Sequence, residues 1–217
     1  MKHYNPLVRK GVIETLGEMR VPNPEVVKEI FLALKDKKKG IRVKAADALR
    51  NIGKPALSKI IEEFNLLDKK IKRLVIWAIG GMGDDAADGV PILIDALKDK
   101  NDSIRIGAML ALGKLGHIAI EAVPSIIELL EDPKTNVRKE TAISLGKMGS
   151  SATKAVPMLV RALSDKNPDV RWRASEALGM IGVNTDEVTS SLDELIHDKC
   201  DYVCEAAIMA IEQIKQN

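Results

Sequence analysis

Residues 169–179 read DVRWRASEALG. Two arginines flank a tryptophan, and in isolation the trio would suit a nucleic acid, with cations for phosphate and a ring for stacking. Followed outward, the reading changes, because the pattern around it occurs seven times. The other copies are VRKGVIETLG from Val8, IRVKAADALR from Ile41, IKRLVIWAIG from Ile71, IRIGAMLALG from Ile104, VRKETAISLG from Val137 and VCEAAIMAIE from Val203. Their second residues are Arg9, Arg42, Lys72, Arg105, Arg138, Arg171 and Cys204. These anchors lie 33 residues apart, except for an interval of 30 between Arg42 and Lys72. The missing three residues fall in the short connector Gly53–Lys54–Pro55–Ala56. A fixed period near 33 marks a stacked repeat and outranks any local motif.

Each full repeat reads as two helices. The first is represented by VPILIDALKD (90–99), VPSIIELLED (123–132) and VPMLVRALSD (156–165). Pro91, Pro124 and Pro157 stand near its start, where a missing N–H costs little, or kink it mildly one turn in. Asp36, Asp99, Asp132, Asp165 and Asp198 end it, each six residues before an anchor. Polar, breaker-rich turns such as KDKND and SDKNPD follow. The second helix carries the anchor, and Gly83, Gly116, Gly149 and Gly182 are expected to close it in left-handed caps. At 100° per residue, the positions one before the anchor and three, six, seven and ten after it share one side. In the sixth repeat these are Val170, Ala174, Ala177, Leu178 and Ile181, the predicted buried stripe. Arg171 is then architectural. With Asp six residues earlier, the anchors predict an Asp–Arg ladder across each turn and between neighbouring repeats.

The pattern V-P-x-L-x-x-x-L-x-D, five residues, V-R-x-x-A-x-x-A-L-G resembles HEAT repeats. It is most similar to the HEAT-like type first described in phycobilisome lyases, also the template of artificial repeat binders. The resemblance covers essentially the whole chain. It implies an all-α, right-handed α-solenoid of about six and a half repeats, forming a single domain over 1–217. It also implies that the second helices line a concave surface, that this surface binds other proteins, and that the variable positions just after the anchor carry recognition.

Those positions, one, two and five after the anchor, are mixed or charged at the two ends of the chain. In the middle they hold Leu74, Trp77, Ile106, Leu110 and Ile143, with Trp172 one repeat further on. Second helices about 8–10 Å apart would align the first five in one apolar strip. Trp and Arg are frequent binding anchors. The residues expected to recognise a protein or peptide are therefore Arg73, Leu74, Trp77, Ile106, Leu110, Ile143, Trp172 and Arg173.

Chemistry is harder to find. Aromatic residues are only 3% of the chain and hydrophobic ones 46%, so the core is aliphatic. The three histidines are scattered. His197, Cys200 and Cys204 form H-x2-C-x3-C, a spacing that suits zinc. Yet Cys204 simply occupies the last anchor slot, and the structural reading is preferred. GGMG at 80–83 is the repeat's helix end and no phosphate loop. Neither a catalytic residue, a metal nor a cofactor is expected, and the chain is read as non-enzymatic. The resemblance leaves open a subunit of a bilin lyase-type enzyme system.

Net charge is +2, but residues 1–73 hold 18 Lys and Arg against 9 Asp and Glu, and residues 74–217 hold 15 against 22. The basic third, with Lys37, Lys38, Lys39, Arg42, Lys44, Lys69, Lys70, Lys72 and Arg73, is the alternative site, for nucleic acid. Around Trp172, Glu140 and Glu176 neutralise the cations that a phosphate track needs. No apolar run approaches the ~18 residues of a membrane span, and the N-terminal residues lack the apolar core of a signal peptide. With only two cysteines, a cytoplasmic location is expected. Val8, Val12, Leu16 and Met19 at one end, and Ile208, Met209 and Ile214 at the other, predict unpartnered apolar faces and weak homodimerisation.

Overall fold

A computed structural model describes residues 5–216. Helices run through the chain as α1 (Pro6–Glu18), α2 (Pro24–Ala33), α3 (Lys39–Ile52), α4 (Lys54–Glu63), α5 (Lys69–Ile79) and α6 (Val90–Ala96). They continue as α7 (Asp102–Leu115), α8 (Val123–Glu128), α9 (Thr135–Met148), α10 (Val156–Ala162), α11 (Pro168–Ile181), α12 (Asp186–Leu195) and α13 (Asp201–Gln216). Among the described residues there is no strand. All seven anchors fall in odd-numbered helices, as the period requires, and the fold is a helix-pair solenoid.

The chain divides into two compact units, with the boundary inside α7 after Ala111. In the first unit, α1 packs on α3 and α3 on α5, while α2 and α4 back α3. In the second, α9, α11 and α13 pack in succession, with α8, α10 and α12 behind them. Each unit is therefore two layers of helices around an aliphatic core.

The predicted stripe is buried: Val170, Ala174, Ala177, Leu178 and Ile181 of α11 all lie inside. The buried face is wider than the stripe, because Ser175 and Gly179 are buried too. That eighth position after the anchor explains how closely the second helices approach. A Cβ on Gly17 would lie 2.6 Å from the Cα of Ala48, and one on Gly80 would lie 2.8 Å from that of Ala111. Gly146 faces Ala177, and Gly179 faces Ala210, at 3.0 Å in the same sense. Glycine on one helix and a small residue on the next let the backbones nearly touch.

Pro91, Pro124 and Pro157 all sit in the first turn of their α-helices. A 3₁₀ stretch precedes each, over Gly83–Gly89, Gly116–Ala122 and Gly149–Ala155. The expected left-handed cap holds for Gly182 (φ 73°, ψ 22°) but not for Gly149 (φ 55°, ψ −136°). There the chain must turn at once into the 3₁₀ stretch, which takes it into a region open only to glycine. By length and composition the helical run 102–131 could cross a membrane, but half its apolar window is buried and Gly116, at φ 58°, divides it.

The ladder is present, in a form the sequence did not disclose. Across its own turn, an anchor that follows an Asp reaches that Asp's carbonyl and not its carboxylate. Nη1 of Arg42, Arg105, Arg138 and Arg171 donates to the carbonyls of Asp36, Asp99, Asp132 and Asp165 at 2.8–2.9 Å. The carboxylate serves the preceding repeat. Asp36 accepts from Nε of Arg9 (2.9 Å), Asp165 from Arg138 (2.6 Å) and Asp198 from Arg171 (2.7 Å). The same carboxylates accept the N–H two residues on, from Lys38, Asn167 and Cys200. Burial pushes the Asp36 and Asp165 carboxyls up, but the arginine and turn hydrogen bonds outweigh it and hold both below the usual range. In Asp198 the Arg171 bond dominates, with the same result.

At the ends the outcome is mixed. Val8, Val12 and Met19 are exposed as expected, but Leu16 is half-buried, because α1 turns Ile13 and Gly17 inward. Ile208 and Met209 are also exposed, but Ile214 is buried against the fold and does not belong to the open face.

Candidate functional site

The odd interval of 30 residues has a structural counterpart between α3 and α5. Three features of the repeat fail together there. The connector collapses, so α4 begins directly after Gly53 with no 3₁₀ stretch before it. The Asp slot six residues before Lys72 holds Leu66, which is 81% exposed. The close-approach glycine on α3 is replaced by Arg50, whose guanidinium lies 4.8 Å from the ring centre of Trp77. Helices α3 and α5 consequently pack far less extensively than α1 and α3 do.

A cavity of about 490 Å³ opens at this seam, lined by Lys39, Arg42, Val43, Lys70, Arg73, Leu74 and Trp77. Four of the seven are cations and none is acidic. Trp77 is 47% exposed. Arg42 spends Nη1 on the carbonyls of Asp36 (2.8 Å) and Lys37 (3.1 Å). Lys44, on the same helix, is neutralised by Glu14 at 2.6 Å, and that hydrogen bond also holds the Glu14 carboxyl below its usual range.

A second cavity, of about 380 Å³, lies between α11 and α13 in the other unit. Its walls include Trp172, Met180, Tyr202 and Met209, with Glu176 and Glu205 beside them. Trp172 is sandwiched there. Tyr202 meets it edge-on at 5.5 Å between ring centres, and Arg173 stacks 3.6 Å from the ring centre while bonding Glu176 at 2.7 Å.

The structure thus brings Arg73, Leu74 and Trp77 into one cavity, and Trp172 and Arg173 into a stacked pair in the other unit. Ile106 is half-buried and Leu110 is 39% exposed, both on the part of α7 in the first unit, while Ile143 is half-buried on α9 in the second. Sequence reasoning missed Val43 as a wall and placed Lys39, Arg42 and Lys70 in the basic third, the alternative site for nucleic acid, rather than around an apolar floor. The signal that could have found the cavity is Leu66 in an Asp slot. Of the H-x2-C-x3-C residues, Cys204 donates its thiol to the Asp198 carbonyl at 3.1 Å, the anchor's own bond. Among the described residues, no three His, Cys, Asp or Glu side chains gather to hold a metal.

Stacked helix pairs, an internal Asp–Arg ladder and lined seams on the anchored helices define a helical repeat solenoid. The chain belongs to the HEAT-repeat family, whose profile matches residues 1–66, 57–126 and 123–212. No curated protein matches the sequence. Among solved structures it is similar to an archaeal HEAT-like repeats protein from Thermococcus onnurineus, at 13% identity and TM-score 0.55, covering 100% of this chain and 99% of that one. The complex of CpcE and CpcF of phycocyanin lyase from Nostoc is similar at 20% identity and TM-score 0.50, covering 99% and 91%. A designed armadillo repeat protein in complex with the peptide (KR)4 is similar at 17% and TM-score 0.51, covering 98% and 95%. At such identities the likeness is one of fold.

Proposed function

We propose that this chain is a non-enzymatic scaffold of the cytoplasm that binds a protein or peptide along the anchored helices of its repeats. Arg73, Leu74, Trp77, Ile106, Leu110, Ile143, Trp172 and Arg173 are the proposed recognition residues, and the repeats act as one domain. The observation that carries the reading is Trp77, a large aromatic residue half open to solvent in a lined cavity, on a helix whose buried face does not use it. Aromatic and arginine side chains in pockets are the usual centres of binding energy. Two of the structural relatives are themselves protein complexes, one of CpcE with CpcF and one with a peptide.

The test is affinity capture with wild type beside Trp77→Ser/Leu110→Ser/Trp172→Ser, with circular dichroism showing that the variant stays helical. The captured protein is then purified and titrated against both. Loss of direct binding in the folded variant supports the reading, and equal affinity for both refutes it. The exposed Val8, Val12 and Met19 also support weak homodimerisation. Sedimentation that shows a pure monomer at high concentration removes that part.

A further inference from the structure

We propose that the cavity between α3 and α5 receives an acidic peptide segment of a partner. One apolar side chain of that segment rests on Val43, Leu74 and Trp77, and its neighbouring carboxylates meet Arg42, Arg73, Lys39 and Lys70. This rests on the protein-binding reading above and specifies the chemistry of the partner.

One rung of the ladder is incomplete. Arg9, Arg138 and Arg171 each close their Nε and Nη2 fork on the carboxylate of the next turn, 27 residues on. For Arg42 that turn offers Leu66. Among the described residues no carboxylate ion-pairs with Arg42, nor with Lys39, Lys70 or Arg73. The carboxylates of this region are already engaged. Asp36 is held by Arg9, and Glu14 pairs with Lys44. Asp47 pairs with Arg50 at 3.4 Å, and Asp68 accepts the N–H groups of Lys70 and Ile71 as the cap of α5. Four cations around one aliphatic and aromatic floor, with no internal counter-charge on the wall, are complementary to a negatively charged chain that also carries an apolar group.

The same geometry disfavours a polynucleotide. Single strands are held by a cationic track and successive stacking rings. Here one ring is present and its cations surround one cavity. The recognition positions flanking it hold Glu14 and Asp47 on one side and Ile106 and Leu110 on the other.

The probes are three fluorescein-labelled oligomers read by anisotropy at moderate salt. They are the peptide DEDELFEDED, the same peptide with every Asp and Glu amidated to Asn and Gln, and a ten-nucleotide uridine strand. The proteins are the full chain, Lys39→Glu/Arg73→Glu and Leu66→Asp. All three substituted positions are exposed, and thermal melts confirm that the variants fold. The expected result is binding of the acidic peptide that is roughly tenfold or more weaker for the amidated peptide and for Lys39→Glu/Arg73→Glu. Leu66→Asp, which keeps all four cations but supplies the missing carboxylate, should also weaken it. Equal affinity for acidic and amidated peptides, tighter binding of the uridine strand, no binding of the acidic peptide, or no loss in the double variant overturns the proposal. If the acidic peptide fails while the captured partner still depends on Trp77, the acidic specificity falls and the protein-binding reading stands.

Discussion

Replacing Asp165 with alanine tests the ladder as a source of stability. The carboxylate accepts three hydrogen bonds, from Arg138 Nε at 2.6 Å, Arg138 Nη2 at 3.0 Å and the Asn167 N–H at 2.8 Å. The two side chains are only 7% and 12% exposed, so water screens the pair little. Removing one partner of a buried ion pair costs about 3–5 kcal/mol, because the other charge is stranded. Arg138 keeps its bond to the Asp132 carbonyl at 2.8 Å, which places the expected loss near the lower bound, about 3 kcal/mol. Asp165→Asn retains an acceptor for the turn and should lose about 2 kcal/mol, the worth of its charged bonds. Arg138→Met/Asp165→Leu should recover most of the loss, since an apolar pair strands no charge. Lys72→Ala is the internal control. Its contact with Asp99 is 3.9 Å long, and such a loose pair is worth less than about 1 kcal/mol. Urea titrations followed by circular dichroism measure all four. If Asp165→Ala cost no more than Lys72→Ala, the rung would be a surface ion pair and the reasoning would fail.

Acid should remove the same contribution. The carboxyls of Asp36, Asp165 and Asp198 are held below their usual range, so their stabilisation is complete above the unfolded value of about 4 and is lost as pH falls through the folded values. The urea midpoint should be level from about pH 7 to 5 and drop below about 4, less steeply for Asp165→Asn; a parallel drop in the variant would contradict this. Two glycines of α1 should respond with opposite sign. Gly11→Ala meets nothing within 4 Å and should stabilise by about 1 kcal/mol in thermal melts, through helix propensity. Gly17→Ala drives a Cβ into Ala48 and should destabilise by about 1–3 kcal/mol. Arg20 takes φ 50° at the position where later repeats have Gly53, Gly83, Gly116, Gly149 and Gly182. Arg20→Gly should therefore raise stability by about 1 kcal/mol.

The repeat itself was legible because it needs only spacing. The anchors set the register, and the register alone places Val170, Ala174 and Leu178 inside. Two parts of the ladder were not legible. Spacing brings Asp165 near Arg171 but does not say whether carbonyl or carboxylate is used, and the structure splits them between two arginines. The glycine eight residues after the anchor recurs in the repeat pattern, but its role lies in the next helix, at Ala48 or Ala111. The candidate site was half legible. Arg73, Leu74 and Trp77 followed from the wheel. Val43 did not stand out, and Arg42 was assigned to architecture because its neighbours in the alignment are architectural. What separates Arg42 from them is a residue 24 positions away, Leu66, whose meaning appears only when its slot is compared with the Asp of other repeats.

At intact seams the array gains a carboxylate–guanidinium pair and a glycine–alanine contact. At the α3–α5 seam it has neither, and it has a cavity instead. Stability forgone at one place is a common mark of a site kept for binding. Leu66→Asp separates the two roles in one substitution. An aspartate in that slot restores the rung to Arg42 and should stabilise the chain by about 1–3 kcal/mol, the worth of a hydrogen bond to a charged group. The same carboxylate competes for the cavity's cations and should weaken an acidic peptide. Opposite movements of the melting temperature and the peptide affinity would show that the seam trades stability for recognition. A variant with unchanged stability would mean that Leu66 does not stand in a ladder slot, and the account of this seam as a broken rung would have to be abandoned.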